Sequence, residues 1–389
     1  MPIELNLPVQ NYPWGSTTAI PALRGVKPTG EPQAELWAGA HPDAPATLMV
    51  DGELRTLADV IADDPIGMLG RPIVYRFGGR LPYLLKILAI AAPLSIQVHP
   101  TTEQAIEGYE RDDQAGIALD APARSYRDRS AKPEMVVALS GVSALAGFRE
   151  PAEAAEHIAE LGVDSLAEVV AALRTGGVVA LEAVVRHWLR GEDLAVLAGE
   201  VAKAATDADG ELAGLVRALA ERYPGDRGLL LALVLEPVTL APGEAMFIGP
   251  GVPHAYLSGL AVEPQASSNN TLRAGLTGKH VNTTEVLRLL RYDEAPAVIS
   301  GAVQGGRVFR YDPGAEEFVL DRVELGESVP SDLVGPRIVL CVEGSASVRA
   351  GGHVALGPGG AAFCPASDGT LILDGEGTAF VIAPRSVNL

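Results

Sequence analysis

Cysteine is scarce in this chain, with only Cys341 and Cys364 among 389 residues. A zinc finger needs cysteine and histidine pairs at short spacing, and no such pair is present. A disulfide framework needs a larger, even set of cysteines in a short secreted chain. Both classes of protein are therefore excluded.

Basic residues are also in short supply. The chain has 30 Lys and Arg residues against 49 Asp and Glu residues, which gives a net charge of −19. Affinity for a phosphate backbone depends on clustered Lys and Arg, so this balance argues against a nucleic-acid partner. If the ligand is an anion, a few local cations must bind it.

Long hydrophobic runs are missing as well. The longest apolar stretch, around Leu81 to Val98, is broken by Lys86, Pro93 and Gln97, which argues against a membrane span. The segment "MPIELNLPVQ" has neither the basic nor the apolar region of a signal peptide. With 48% hydrophobic and 20% charged residues, the composition is typical of a soluble globular protein, and we expect a cytoplasmic monomer.

The length of the chain suggests two or three domains, and the pattern changes along it. Residues 1–150 show short apolar runs with Gly and Pro, which favour strands and loops. Residues 151–225 are rich in Ala, Glu and Leu, and "DSLAEVVAALRTG" carries a helical stripe that Gly176 is placed to end. This spacing is repeated by Leu181, Val184, Val185 and Trp188, and again by Leu212, Leu215, Val216 and Leu219. Strand patterns return over 226–300 and over 301–389, where several short strands indicate a sandwich or barrel.

A polar row interrupts one apolar strand. In "PLSIQVHP", residues 93–100, alternation places Ser95, Gln97 and His99 on one face and Ile96 and Val98 on the other. An internal hydrogen-bonded pair would explain such a row. A neutral imidazole is also the commonest metal ligand, so the same row could form half of a metal site. The strand alone leaves both interpretations open.

A second histidine lies in a characteristic turn. "GEAMFIGPGVPH" is similar to the second half of a cupin motif, with Gly243, Gly251 and His254 at the expected positions and Gly249 where proline is usual. A tight turn between two barrel strands would direct the imidazole into the barrel. The related stretch "LGPGGAAFCPAS" has no histidine, so we expect metal in only one of two barrels.

Six separated blocks carry a resemblance to a known family. They are "VQNYPWGS", "AELWAGAHPDAP", "GRLPYLLKILAIAAPLSIQVHP", "KPEMVVALSGVSALAGFR", "PGEAMFIGPGVPHAYLSG" and "SSNNTLRAGLTGKHVN". In this order the chain resembles the type I mannose-6-phosphate isomerases, zinc enzymes of the cupin superfamily. The resemblance implies a mainly β fold with two cupin-type (jelly-roll) barrels and an α-helical domain. The catalytic barrel would comprise 1–150 and 226–300, the helical domain 151–225, and the metal-free barrel 301–389.

The resemblance also implies the activity and a metal centre. The enzyme would interconvert mannose 6-phosphate and fructose 6-phosphate through a cis-enediolate, and would serve mannose metabolism and the supply of GDP-mannose precursors. The family's ligands for one zinc ion fall on Gln97, His99, Glu134 and His254. Two imidazoles, a carboxylate and a weakly bound amide suit a borderline divalent ion with a position left for water or substrate.

The resemblance implies that Ser95, Lys86 and Lys132 contact the phosphate and the sugar, and that Tyr256 and Lys279 are further substrate contacts. Arg273 matches the family's catalytic arginine, and an always-charged guanidinium suits a developing enediolate or a phosphate. Glu263 matches an active-site carboxylate and is the candidate acid/base. A lysine inside an apolar strand could instead extend its ammonium group to solvent from an edge, which keeps a second interpretation of Lys86 open.

Several positions carry weaker signals. The family often has Asp where Leu260 and Asn269 stand, and an amide at 269 cannot abstract a proton. Trp14 and Trp37 could line the sugar pocket or belong to the core, and His280 stays open. The rival hypotheses are an iron-dependent cupin dioxygenase, disfavoured by Gln97 in place of a first histidine, and a non-catalytic sugar-sensing module. The remaining histidines, which we expect to be structural, are His41, His157, His187 and His353.

Overall fold

The computed structural model describes residues 1–192 and 194–386. The fold is mostly β, with one sheet of eleven strands, one of nine and a two-stranded hairpin, and with several helices around them. This agrees with the predicted mainly β fold. Within the described ranges, none of the helices has the length and hydropathy required to cross a bilayer.

The first 150 residues contain more helix than predicted. Their helices are α1 (Ala19–Leu23), α2 (Leu57–Asp63), α3 (Pro65–Leu69), α4 (Arg71–Phe77) and α5 (Thr102–Gln114). The prediction of strands and loops alone was wrong for α5, although its capping box of Thr101 and Gln104 could be read in the sequence. The strands are β1 (Ile3–Leu5), β2 (Val9–Gln10), β3 (Glu35–Gly39), β4 (Thr47–Val50), β5 (Glu53–Thr56), β6 (Tyr83–Ile90), β7 (Ile96–Val98), β8 (Glu134–Ala138) and β9 (Val142–Phe148).

The block that follows is helical, as its periodicity predicts. A short 3₁₀ turn at Asp164–Leu166 separates its first two helices, and the side chains of Leu166, Val170 and Leu173 are buried. The helix is not stopped at Gly176. It breaks at Gly177, where φ is 55°, and then continues. The helices are α6 (Pro151–Glu160), α7 (Ala167–Arg190), α8 (Leu194–Asp207), α9 (Glu211–Arg222) and α10 (Gly228–Ala232).

Strands from before and after the helical block form one eleven-stranded sheet. The later members are β10 (Leu235–Leu240), β11 (Glu244–Ile248), β12 (His254–Ala266), β13 (Leu272–Gly275) and β14 (Ala297–Ser300), with α11 (Thr283–Leu289) between the last two. The long strand β12 is central, because it pairs antiparallel with β6, β7, β8 and β9. Residues far apart in the sequence are thereby brought to one sheet.

The nine-stranded sheet contains the C-terminal strands and one unexpected member. Strand β1 pairs antiparallel with the Ala361–Cys364 strand, with Ile3 opposite Phe363. The boundaries predicted from the sequence assign residues 1–150 to one barrel, whereas the pairing partner of β1 lies in the C-terminal region. The other strands are β15 (Ala302–Gly305), β16 (Val308–Tyr311), β17 (Val319–Glu324), β18 (Val329–Ser331), β19 (Arg337–Arg349), β20 (His353–Leu356), β21 (Ala361–Cys364) and β22 (Leu371–Ala383).

A shared apolar core joins the two large sheets. Buried Leu85 of β6 and Phe363 of β21 belong to one continuous cluster. Tyr83 also donates a hydrogen bond of 2.8 Å to the carbonyl of Pro336. The first sheet therefore packs against the second over its core face, and this leaves the β6–β12–β7 side to form the site.

Candidate active site

A row of polar side chains crosses three neighbouring strands. Lys86 of β6 lies opposite Glu263 of β12 and opposite Trp37 of β3, and directly opposed residues on one sheet face contact each other. Lys86 Nζ lies 3.0 Å from Glu263 Oε2 and 3.5 Å from Glu35 Oε2. It also lies 5.2 Å from the centre of the Trp37 ring. This lysine does not extend to solvent, since it is buried between two carboxylates.

Three side chains of metal-ligand type meet at the buried end of the site. His99 follows β7, Glu134 opens β8 and His254 opens β12, and their possible ligand atoms all lie within 4.8 Å of one another. Glu134 Oε2 lies 3.2 Å from His99 Nε2, and Glu134 Oε1 lies 2.9 Å from His254 Nε2. All three side chains are almost fully buried. The set matches the N and O donors that bind divalent ions.

Backbone carbonyls decide which ring nitrogens face Glu134. His99 Nδ1 lies 2.8 Å from the carbonyl oxygen of Asn270, and His254 Nδ1 lies 3.0 Å from that of Val252. A carbonyl only accepts, so each Nδ1 carries a proton and each neutral ring presents a lone pair at Nε2. Both Nε2 atoms are buried and, among the residues that the structure describes, neither has a hydrogen-bond partner. Lone pairs that converge on a carboxylate in this way fit a bound cation.

The protonation states agree with this arrangement. Burial, assisted by the charge of Lys132, lowers the pKa of His99 to about 4, so the ring is neutral at pH 7. Burial by itself would raise the pKa of Glu134, but the opposing effects, of which the positive charge of Lys132 is the largest, hold that pKa well below its usual range. Lys132 Nζ donates to Glu134 Oε2. The cluster therefore presents a neutral imidazole at His99 and an ionised carboxylate at Glu134.

A cleft of about 430 Å³ adjoins this cluster, a size typical of small-molecule sites. Ser95 and Gln97 line it from the β7 region, and Gln97 lies between His254 and Arg273 in the strand register. The helical block contributes Tyr223, whose hydroxyl donates to the carbonyl of Pro93 at 2.8 Å. The cleft is thus closed on one side by the end of α9.

A small inner chamber of about 50 Å³ lies beyond the cleft and is lined by Glu134, His254, Tyr256 and Glu263. It can hold a water molecule but not a sugar ring. Burial raises the pKa of Glu263, while the nearby charge of Lys86 opposes that shift. A carboxyl whose pKa is raised in a cleft is a candidate acid/base.

Three cations lie near one another, and we call the part of the cleft beside them its cationic end. Arg273 and Lys279 line both the cleft and a neighbouring cavity of about 610 Å³, which Arg127 also lines. Within residues 1–192 and 194–386, none of the three forms an ion pair, unlike Lys86 and Lys132. Burial and the charge of Arg127 lower the pKa of Arg273, and Arg273 together with burial lowers that of Lys279. An anion bound here would relieve this repulsion.

Comparisons with known proteins bear on the family. The catalytic-domain model of type I phosphomannose isomerases matches residues 3–151. The mannose-6-phosphate isomerase of Escherichia coli is 34% identical over 389 residues, which cover 95% of this chain and 96% of that protein. The rat enzyme of the same name is 30% identical, over 95% of this chain and 94% of its own.

The chain belongs to the mannose-6-phosphate isomerase family.

Solved structures give the same result. A zinc-bound mannose 6-phosphate isomerase superposes with a TM-score of 0.91 at 33% identity, covering 99% of this chain and all of that one. A phosphomannose isomerase variant from Salmonella typhimurium reaches a TM-score of 0.92 at 34% identity with the same coverage. Membership of the isomerase family confirms the predicted enzyme class, and it disfavours the dioxygenase and the sugar-sensing module.

The structure brings all eleven site residues predicted from the sequence to one region. Six line the cleft, and His99 contacts Glu134 and His254. The other four line the inner chamber and are Glu134, His254, Tyr256 and Glu263. Trp14 and Trp37 also line the cleft, as does His41, while His280 lies in the neighbouring cavity. The roles of these residues stay predictions. The six in the cleft are Lys86, Ser95, Gln97, Lys132, Arg273 and Lys279.

Three residues in or beside the site, Glu35, Arg127 and Tyr223, were not predicted from the sequence. Glu35 binds Lys86 and accepts a hydrogen bond from Trp37 Nε1. Alternation from Trp37 along β3 could have revealed it, because residues two apart share a face. Arg127 and Tyr223 could not be predicted, since they lie in a loop and at a helix end that only tertiary packing brings to the neighbouring cavity and to the cleft, respectively.

Proposed function

We propose that this protein interconverts mannose 6-phosphate and fructose 6-phosphate at a zinc centre in the cleft. One observation carries the proposal: a buried cluster of two imidazoles and a carboxylate adjoins a cleft that is also lined by Arg273 and Lys279, which form no ion pair within the described residues. A sugar phosphate has hydroxyl and carbonyl oxygens for the cluster and a dianion for these cations.

The metal ligands would be His99, Glu134 and His254, with Gln97 as the predicted fourth. Zinc is proposed because the donor set suits it and because a related solved structure is zinc-bound. A bound zinc ion would polarise a sugar oxygen as a Lewis acid. We further propose that the eleven-stranded sheet is the metal-binding cupin barrel and that the nine-stranded sheet is the metal-free one.

The phosphate would bind at the cationic end, on Arg273 and Lys279, with Ser95 as a hydroxyl donor. Lys86 and Lys132 were expected to share this role on the basis of family resemblance. Their ammonium groups instead contact carboxylates, so their charges are already balanced. A lysine has three N–H donors, and we propose that these two use a remaining donor for sugar hydroxyl groups.

Proton transfer between C1 and C2 needs an acid/base, and Glu263 is our proposal for it. The inner chamber is too small for the sugar, so Glu263 would act through one water molecule. Tyr256 lines the same chamber. Arg273 would stabilise the negative charge of the cis-enediolate through preorganised donors. The amide of Asn269 cannot abstract a proton, and we propose that it orients the substrate by hydrogen bonding.

The acid/base proposal predicts a loss in Glu263→Gln. The amide keeps the shape but cannot take up a proton, so we expect kcat to fall by about 10²- to 10⁴-fold, the usual contribution of such a group. Exchange of the substrate C2 proton with deuterated solvent should fall equally. Asn269→Ala is the comparison and should cost much less. Loss of exchange in Asn269→Ala with normal exchange in Glu263→Gln would reject Glu263.

The function itself is tested by a coupled assay of fructose 6-phosphate formation from mannose 6-phosphate. We expect turnover that a chelator abolishes and added zinc restores, with unchanged far-UV circular dichroism, because the sheets have apolar cores of their own. Unphosphorylated mannose should be a much poorer substrate. Equal efficiency on mannose and mannose 6-phosphate would contradict the phosphate site, and turnover that survives complete metal removal would contradict the metal centre.

A further inference from the structure

The carbonyl that orients His99 belongs to a residue 171 positions away. Asn270 is fully buried, and its carbonyl oxygen lies 2.8 Å from His99 Nδ1. The corresponding carbonyl for His254 belongs to Val252, two residues before it in the same turn. His254 is therefore oriented by its own local chain. The orientation of His99 depends on whatever holds Asn270 in place.

The side chain of Asn270 forms hydrogen bonds through both its nitrogen and its oxygen to the loop of residues 127–130. Its Nδ2 donates to the carbonyl of Asp128 at 2.8 Å and to that of Ser130 at 2.9 Å. Its Oδ1 accepts from the backbone N–H of Arg127 at 2.8 Å. Three strong contacts thus join Asn270 to residues 127–130, and buried amides held in this way have a single orientation.

The carboxylate of Asp128 makes the reciprocal set of contacts. It accepts from the backbone N–H of Asn269 at 2.7 Å and from the Ser268 hydroxyl at 2.9 Å. It also accepts from the N–H of Ser130 within its own loop, at 2.9 Å. Every contact uses the carboxylate as an acceptor. Side-chain hydrogen bonds from Asn270 and from Asp128 therefore join residues 127–130 to residues 268–270, and we call this set of residues the 128–270 latch.

We propose that Asn270 and Asp128 are positioning residues for the metal centre, acting through the carbonyl that fixes the tautomer and direction of the His99 ring. This inference rests on the proposed metal centre. A carbonyl that accepts from the remote ring N–H raises the basicity of the ligand nitrogen and prevents rotation of the ring. Neither residue touches the His99 Nε2 that would bind the ion, so their effect is indirect.

The latch predicts a defined loss of metal affinity. Partners that orient metal ligands typically contribute 10- to 100-fold in affinity. We expect Asn270→Ala and Asp128→Asn to weaken cobalt(II) and zinc binding by about that factor. In Asp128→Asn, an NH₂ group would face donors such as the Asn269 N–H, so the contacts cannot all be kept.

The experiment titrates apo-protein with cobalt(II), reads the visible absorption bands, and measures zinc affinity by competition with a chelating dye. Asn282→Ala is the matched control. Asn282 donates to Ser125 Oγ at 2.9 Å and accepts from the Glu285 N–H at 3.2 Å. Within the described residues, its side chain forms no hydrogen bond to His99, Glu134, His254 or Asn270. Thermal unfolding of the apo-proteins reports the loss of stability that each substitution causes.

The expected result is tight metal binding by the wild type and Asn282→Ala, with weaker binding and altered cobalt bands in both latch variants. If the latch variants are folded and keep wild-type affinity and bands, the proposal is overturned. If Asn270→Ala does not fold, Asp128→Asn decides by the same two readouts. Failure of the wild type to bind metal would instead reject the metal centre itself, so the two failures can be told apart.

Discussion

Replacing His254 with alanine should remove metal and activity together. The imidazole Nε2 lies 2.9 Å from Glu134 Oε1, and the side chain is almost fully buried. Even a partner that only orients a metal ligand is worth 10- to 100-fold in affinity. We therefore expect the loss of the ligand itself to weaken zinc binding by more than about 100-fold.

The measurement combines zinc content after dialysis with the coupled isomerase assay at several zinc concentrations. His353→Ala is the matched control, because this exposed histidine of the nine-stranded sheet lies far from the cleft in the fold and its Nε2 lies 3.0 Å from the Ser347 hydroxyl. It should retain full metal content and turnover. If His254→Ala holds one zinc per chain at wild-type affinity, His254 is not a ligand.

Replacing Arg273 with alanine should abolish turnover while the protein keeps its metal, unlike the replacement of His254. Arg273 lines the cleft but belongs to the cationic end, and it is not among the residues that could bind the ion. Removal of one preorganised donor from a site of developing negative charge typically costs about 10²- to 10³-fold in rate. We expect a loss of at least this size, mainly in kcat.

The assay is accompanied by zinc analysis, and Arg129→Ala serves as the control. Arg129 comes from the same loop as Arg127, but its guanidinium stacks 4.2 Å from the centre of the Tyr109 ring and does not line the cleft. Its removal should change little. Arg273→Lys should recover only part of the rate, because an ammonium lacks the planar fork of donors. If zinc content falls with the activity of Arg273→Ala, the residue acts through the metal centre.

The predictions made from the sequence succeeded where the signal is local. Strand alternation in "PLSIQVHP" predicts separate faces for Gln97 and its neighbours, and Gln97 lines the cleft while Ile96 and Val98 are buried. The helical stripe through Leu166, Val170 and Leu173 is buried as expected. The errors also have local causes. The helix breaks at Gly177, one residue after the expected stop. The pairing of β1 with the distant β21 could not be predicted, because a three-residue strand carries no information about its partner.

Sequence by itself determined which kinds of atoms are available: two imidazoles and a carboxylate for a cation, several lysines and arginines for an anion, and strands that present them on one face. Only the tertiary structure decided how they are paired. Strand β12 places Glu263 opposite Lys86, which changes a candidate phosphate contact into the partner of two carboxylates. The carbonyl of Asn270 reaches His99 across 171 positions. Register between distant strands and contacts between distant loops are fixed by packing of the whole sheet, and no short stretch of sequence encodes them.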